Sequence, residues 1–463
     1  MKALSAALLL ALLACAQQPA STPPGLDGAW LGAIEVPPAI KLRLVFHVAG
    51  PVATMESLDQ NARDIPVSEV IRSGSTVIFD MPKIGGRFEG RIDPALATIA
   101  GTWSQGDNSF PLTLSRVKDA SSLQLRRPQE PKRPYPYRDE DVSYDNRPAG
   151  IKLAATFTIP VGKGPFPAVL LITGSGQQDR DEAIMGHKPF LVLADYLTRH
   201  GIAVLRADDR GVGKSGGTFA TATTADFATD AEAGLAYLKT RPEVDPHRIG
   251  LIGHSEGGII APMVAARNRD VAFIVLLAGT GLPGYEVVVD QVRSMYEAEG
   301  ISGKQLADLT ARHREIVEIF RSEKDEAVVA QKIRERMAGK LSDAEINVAI
   351  ARTQGPWARY FIEYDPAPAL RRVTCPVLAL IGGKDTQVPP ALNLPPIRAA
   401  LRAGGNKGFQ VAELPGLNHL FQSAKTGAPG EYGLIEETMS PMALDRVSSW
   451  IAAHESSATD ARK

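Results

Sequence analysis

Residues 249–258 read Ile249-Gly250-Leu251-Ile252-Gly253-His254-Ser255-Glu256-Gly257-Gly258, and the chain runs on through the apolar stretch Ile259–Ala266. An apolar run, a tight turn flanked by glycines and a second apolar run predict a strand, a sharp corner and a helix. The glycines have a steric reason, because a serine on so tight a corner is strained and bulk on either side would clash. Such a corner points Ser255 Oγ out over the sheet edge. It also sets the Glu256 N–H at a helix N-terminus, where the dipole favours developing negative charge. Ser255 is therefore the candidate nucleophile, and Glu256 N–H a candidate oxyanion donor.

Outward from this corner, apolar runs alternate with helical stretches. Ala168–Ile172, Ile202–Leu205, Phe273–Leu277, Val377–Ile381 and Phe409–Leu414 are buried strands, and Pro189–His200 and about 225–240 are helices. The alternating strand Ile151–Ile159 precedes them and a helix over 435–454 closes the set. This pattern predicts an α/β core with a mainly parallel, doubly wound sheet over 140–283 and 373–455. Between 284 and 372 no strand is legible. Leu306, Leu309, His313, Ile316 and Phe320 recur at helical spacing, and Ser302/Gln305 and Ser342/Glu345 have the spacing of capping boxes. An all-helical insertion is expected, with His313 in its core.

A serine hydroxyl needs a base, and the base an orienting acid. Downstream, Ile381-Gly382-Gly383-Lys384-Asp385 ends a strand in a loop carboxylate, and Leu414-Pro415-Gly416-Leu417-Asn418-His419 ends another in a loop histidine. His313, His419 and His454 are the histidines from the insertion onward, and of these His419 alone lies on a post-strand loop. The order Ser255, Asp385, His419 is the one α/β-hydrolases use. His419 would take the Ser255 proton, and Asp385 would hold the imidazole tautomer. The loop Thr173-Gly174-Ser175-Gly176-Gln177 follows the first buried strand and has residues small enough to bring a second N–H to an oxyanion: Ser175, with Gly176 as alternative. The polar run Asp179–Glu182 either contacts substrate or locks this loop.

Gly211-Val212-Gly213-Lys214-Ser215 imitates the end of a phosphate-binding loop. The motif's earlier glycine is Asp208 here, and Gly216-Gly217 blocks the required helix. No His/Cys/carboxylate spacing suits a metal. No cofactor is expected.

The N-terminal part reads differently. Ala3–Ala14 is an apolar run too short to span a bilayer, behind Met1-Lys2, and predicts an export signal over 1–15. Leu12-Leu13-Ala14-Cys15 resembles a lipoprotein box, which would leave Cys15 lipidated and membrane-attached; Ala14-Cys15-Ala16 also fits a signal peptidase site that frees the chain. A periplasmic or envelope address is expected, or secretion. Residues 26–117 alternate in short pieces between two Gly-x-Trp units, Gly28-Ala29-Trp30 and Gly101-Thr102-Trp103, and predict a small antiparallel barrel or sandwich that serves packing or binding. Residues 118–139 hold four prolines and the cluster Arg126, Arg127, Lys132, Arg133, and read as a solvated linker.

Composition agrees. The 463 residues are too many for one core, and 51 Lys+Arg against 52 Asp+Glu provide no basic field for nucleic acid. Gly 42 and Pro 34 are too many turn-formers for a helical bundle.

The segments LITGSGQQDRDE, GHKPF, DDRGVGKSGG, GHSEGG, YDPAPAL, PVLALIGGKDTQVPP and LNHLFQ together resemble a bacterial branch of the α/β-hydrolase superfamily, over about 138–455. Members are described as esterases or serine-aminopeptidase-like hydrolases. The resemblance implies an α/β-hydrolase fold, Ser255, Asp385 and His419 as a triad, the Thr173–Gln177 loop as oxyanion partner, and a helical cap. The superfamily's frequent His-Gly at that loop is Thr173-Gly174 here. The expected activity is hydrolysis of small carboxylic esters, short-acyl ones on the resemblance and because a cap narrows access. The alternative is a peptidase or amidase on short peptides, whose α-ammonium would need carboxylates such as Glu315, Glu318 and Glu363 together. A non-catalytic binding or scaffold protein is the reading from another class.

Overall fold

The computed structural model describes residues 25–36, 40–50, 52–59, 62–118 and 126–460. The expected export signal, Cys15 and both cleavage sites lie outside these residues.

Nine antiparallel strands come first: β1 (Gly28–Val36), β2 (Ile40–Ala49), β3 (Val52–Ser57), β4 (Ala62–Val67), β5 (Glu69–Ser73), β6 (Thr76–Met81), β7 (Gly86–Ile92), β8 (Thr98–Gln105) and β9 (Asn108–Val117). Their order is β4-β3-β2-β1-β9-β8-β7-β6-β5. The two edge strands, β4 and β5, are separated in the chain by Ser68 alone, so the sheet must roll up on itself. Ser68 N–H donates to Asp80 O of β6 at the seam. Strand β7 shows the period-two pattern: Gly86, Phe88, Gly90 and Ile92 are buried, while Arg87, Glu89 and Arg91 face water. Both Gly-x-Trp units send their indoles, Trp30 and Trp103, into this core beside the stacked Phe46 and Phe79 rings.

The second sheet holds β10 (Arg138–Asn146), β11 (Ile151–Ile159), β12 (Phe166–Ile172), β13 (Ala203–Ala207), β14 (Val244–His254), β15 (Phe273–Leu277), β16 (Val377–Gly382) and β17 (Phe409–Leu414). Its order is β10-β11-β13-β12-β14-β15-β16-β17. The pairs β10/β11 and β11/β13 are antiparallel and every other pair is parallel. Successive residues of β12 alternate between two cores: Ala168, Leu170 and Ile172 enter one, and Val169 and Leu171 the other. Helices α1 (Pro189–Arg199), α2 (Thr224–Lys239) and α3 (Gly257–Ala265) cover the first strands.

Six helices fill the gap between β15 and β16: α4 (Gly284–Ala298), α5 (Gly303–Ser322), α6 (Glu326–Met337), α7 (Asp343–Ala351), α8 (Gly355–Glu363) and the short α9 (Ala367–Leu370). They carry a core of their own, including Ile316, Phe320, Val329, Ile333 and Ile350. The Ser342/Glu345 capping box forms. The one expected at Ser302/Gln305 does not: Ser302 stands at the N-cap, but its side chain makes no cap hydrogen bond, and Gly303, the first residue of the helix, has φ 59°. Helices α10 (Pro390–Ala403) and α11 (Pro441–Asp460) complete the sheet's cover.

The linker differs from expectation at Arg127. Its guanidinium is not solvated but donates to the carbonyls of Met185, Gly186, Gly433 and Ile435 at 2.9–3.2 Å. Hydrogen bonds to a charged group are worth more than neutral ones, so this side chain clamps the connection onto the second unit. Strand β9 packs against α7, and β2 against the 3₁₀ turn Pro429–Leu434, so the rolled sheet touches both the insertion and the core.

Candidate active site

Four loops at the carboxyl ends of parallel strands meet over the sheet, the place where open α/β sheets bind ligands. Ser255 follows β14 at φ 52°, a left-handed conformation that a non-glycine residue holds at a cost of about 1–3 kcal/mol. The corner leaves no room for side chains around it: a Cβ on Gly253 would stand 1.9 Å from Gly257 O, and one on Gly257 2.1 Å from Ile172 O. Ser255 N–H is spent on Leu277 O at 2.8 Å.

Asp385 follows β16 and His419 follows β17. His419 Nδ1 lies 2.8 Å from Asp385 Oδ2, with both side chains buried. The other carboxylate oxygen, Oδ1, accepts Gln387 N–H at 2.9 Å and Val388 N–H at 2.8 Å, which sets the plane of the group. Asn418 ties the histidine loop by accepting Leu420 and Gln422 N–H. Ser255 and His419 line one cavity of about 200 Å³, with Gly174, Ser175 and Glu256. Gly176 is not among its lining residues. Neither the Ser175 nor the Glu256 backbone N–H has a hydrogen-bond partner among the described residues.

The run Asp179–Glu182 locks its loop. Arg180 makes a bidentate pair with Asp208, Asp181 pairs with Arg206, and Glu182 accepts Gly174 N–H at 2.7 Å. Asp209 holds the other side of the loop through Thr173 Oγ1 at 2.7 Å and Gln178 N–H at 3.0 Å. Burial pushes its carboxyl up to about 7 despite these donors. The phosphate-loop look-alike is thus a brace: Ser215 Oγ donates to Asp208 O, and Ala154 N–H to Ser215 Oγ.

Two arrangements here had no signal in the sequence. His254 Nδ1 is 2.9 Å from Glu182 Oε1 and its Nε2 is 3.0 Å from His419 O. Both nitrogens face acceptors, so the doubly protonated ring satisfies the site best. Burial works against that charge, but the Glu182 carboxylate outweighs it and the pKa lies above the ordinary value. One ion pair so joins the Gly174 loop, the serine corner and the histidine loop. The second arrangement is the Glu256 side chain, buried and raised in pKa by that burial, yet met by Thr224 Oγ1 at 2.6 Å, by Trp357 Nε1 of α8 and by the Ser175 side chain.

Helices α4 and α8 supply Val287, Val288, Gln291, Trp357 and Phe361 to the cavity wall. His313 lines a second cavity inside the insertion, its Nε2–H donated to Val288 O at 3.1 Å. The carboxylates considered for an α-ammonium are not brought together. Glu315 pairs with Arg336 and Lys340, Glu318 with Arg321 and Glu363 with Lys324, and none lines either cavity. Among the described residues no group of three or more His, Cys, Asp or Glu is arranged to hold a metal ion.

Residues 188–423 match the family model described as serine aminopeptidase, S33. The chain is 27% identical over 322 residues to esterase EstD of Thermotoga maritima, spanning 69% of this chain and 68% of that one. Among solved structures it resembles the Pyrococcus furiosus esterase PF2001, at 16% identity and a TM-score of 0.42, over 69% of this chain and 91% of that one. It also resembles Est1E of Butyrivibrio proteoclasticus with bound ferulic acid, at 20% identity and 0.39, over 70% and 100%.

Proposed function

The chain belongs to the serine aminopeptidase S33 family of α/β-hydrolases, and from that premise we propose that it is a serine hydrolase cleaving carboxylic esters through an acyl-enzyme. The observation that carries the reading is the 2.8 Å His419–Asp385 pair beside a serine held at φ 52° on the same cavity.

In this reading Ser255 Oγ attacks the ester carbonyl carbon while its proton passes to His419 Nε2, and Asp385 stabilises the imidazolium. The carbonyl oxygen becomes an oxyanion and takes the Ser175 and Glu256 N–H groups, donors committed to no other described group. Collapse breaks the C–O bond, His419 returns the proton to the departing alkoxide, and a water then repeats the cycle on the acyl-serine. The insertion acts as a cap, its α4 and α8 side chains excluding water from the reacting carbonyl.

Ester cleavage is preferred over peptide cleavage because Glu315, Glu318 and Glu363 are ion-paired away from the cavity. Labelling by a fluorophosphonate, together with turnover of p-nitrophenyl acetate, tests the reading. Both must vanish in Ser255→Ala; unlabelled, folded wild-type protein would return the question to a scaffold role. Export is part of the proposal, on the charged start and apolar run of residues 1–15. Palmitate incorporation lost in Cys15→Ala would mark the lipidated form, and its absence the freed one.

A further inference from the structure

The side chains on either side of Asp385 are held by one later segment of the chain. Lys384 Nζ donates to Ala424 O at 2.8 Å and to Lys425 O at 2.7 Å, and Thr386 Oγ1 donates to Gly427 O at 3.1 Å. Gln387 Nε2 donates to the phenol oxygen of Tyr432 at 3.1 Å. The backbones meet as well, since a Cβ on Gly427 would stand 1.8 Å from Lys384 O. The Glu431 carboxylate closes this segment on itself by accepting the N–H groups of Lys425, Thr426 and Gly427.

Tyr432 is 1% exposed and lines neither cavity, so it is placed to touch no substrate. Its reach into the site passes through Gln387, whose own N–H holds Asp385 Oδ1 at 2.9 Å. A reacting group displaced by 1 Å can cost about 10²-fold in rate, so what fixes this loop bears on turnover.

The 3₁₀ turn that carries Tyr432, Pro429–Leu434, rests in turn on the N-terminal sheet. Gly433 lies against the carboxylate of Asp59, just after β3: a Cβ there would stand 2.5 Å from Oδ1. Strand β2 fixes that carboxylate through the Arg43 N–H at 2.7 Å and the Arg43 Nε at 3.0 Å. From the linker, Arg127 donates to Gly433 O and Ile435 O at 2.9 Å each. Gly433 has no left-handed φ, so the neighbouring sheet and not the local backbone demands a small residue.

We propose that Tyr432 is a positioning residue for the hydrolysis: it holds the Asp385 loop through Gln387, and the N-terminal sheet holds Tyr432 by seating its turn. This gives the sheet a part in turnover that needs no ligand of its own. It rests on the hydrolase reading.

The test uses the full chain, p-nitrophenyl acetate turnover and the rate of fluorophosphonate labelling. Tyr432→Phe keeps the ring and removes the acceptor. It is expected to lower kcat and the labelling rate three- to tenfold and to leave KM within twofold. In an Asp385→Asn background the same change should cost less than twofold in labelling rate, because the group it acts through is gone. A merely structural role would give one factor in both backgrounds and would overturn the assignment, as would wild-type kcat in Tyr432→Phe. Gly433→Ala and Arg127→Gln reach the turn from the sheet's side, and each should lower kcat with KM kept. Either variant folded and with wild-type kcat would overturn the sheet's share. Wild-type protein that neither labels nor cleaves the ester would instead remove the hydrolase reading and this one with it.

Discussion

The indole N–H of Trp357 reaches both carboxylate oxygens of Glu256, at 2.9 and 3.0 Å, so a helix of the insertion is hydrogen-bonded to the residue directly after Ser255. A buried carboxylate that loses a donor costs about 1–3 kcal/mol. Trp357→Phe keeps the ring and removes the donor. It is expected to lower the thermal midpoint by a few degrees, at about 2–4 °C per kcal/mol, and to lower kcat/KM about tenfold as α8 loosens over the cavity. Calorimetry and steady-state kinetics on one preparation check both; an unchanged midpoint would contradict the coupling.

Asp385→Asn tests the acid's role with little structural damage. An asparagine Oδ1 can still accept the Gln387 and Val388 N–H groups, while its NH₂ would face His419 Nδ1 and impose the wrong tautomer. If Asp385 orients His419 as proposed, turnover should fall about 10⁴-fold, as in serine proteases altered this way, with the melting point nearly unchanged. A loss under tenfold would mean another group orients the ring.

Glu182→Gln keeps an acceptor for Gly174 N–H and discharges the partner of His254. If the pair positions the loops rather than reacting, kcat should fall about tenfold, KM should hold, and Ser255 should still label with a fluorophosphonate. His254→Gln should behave alike, and the double variant should lose no more than either single one.

The corner glycines bear on folding. Gly253→Ala sets a methyl 1.9 Å from Gly257 O, a backbone atom that cannot yield without moving α3. The expected loss exceeds about 4 kcal/mol, the range of severe core defects, and would be read as insoluble protein or a collapsed urea midpoint.

Acid should unfold the protein through buried imidazoles. His187 is enclosed between Tyr432 O and Thr438 Oγ1, and desolvation pushes its pKa down to about 4. The unfolded chain, with an ordinary value near 6.5, binds the proton first. The stabilisation is therefore complete above pH 6.5 and is lost as pH falls toward 4, on the order of 3 kcal/mol for this one group. The urea midpoint should drop over that window, and drop less steeply in His187→Gln. Equal slopes would show the ring is already charged when folded.

Much of the architecture could be read along the chain. The run ending at Gly253 is the second half of β14, Ile202–Leu205 overlaps β13, and the absence of strand pattern over 284–372 corresponds to six helices. Period-two alternation, continuous apolar runs and glycine corners are consequences of local backbone sterics and of which faces must be dry, and both are written in neighbouring residues. Arg127 and Ser302 were misread for a related reason: an arginine in a proline-rich stretch carries no mark of the four carbonyls waiting for it, and a serine at capping distance does not reveal the left-handed φ of Gly303.

Residue types and their order along the chain were enough to name Ser255, Asp385 and His419 as candidates, because a strand end, a loop and a small set of histidines leave few combinations; the fold sets Asp385 against His419 and puts Ser255 on the same cavity. Packing alone decided that His254 and Glu182, 72 positions apart, share a proton-bearing contact, that Glu256 is tied to Trp357, and that the insertion encloses a cavity of about 390 Å³. Such features arise where distant segments desolvate one another, and the energy of a charge or a void there depends on every neighbour at once. No stretch of the chain carries that sum.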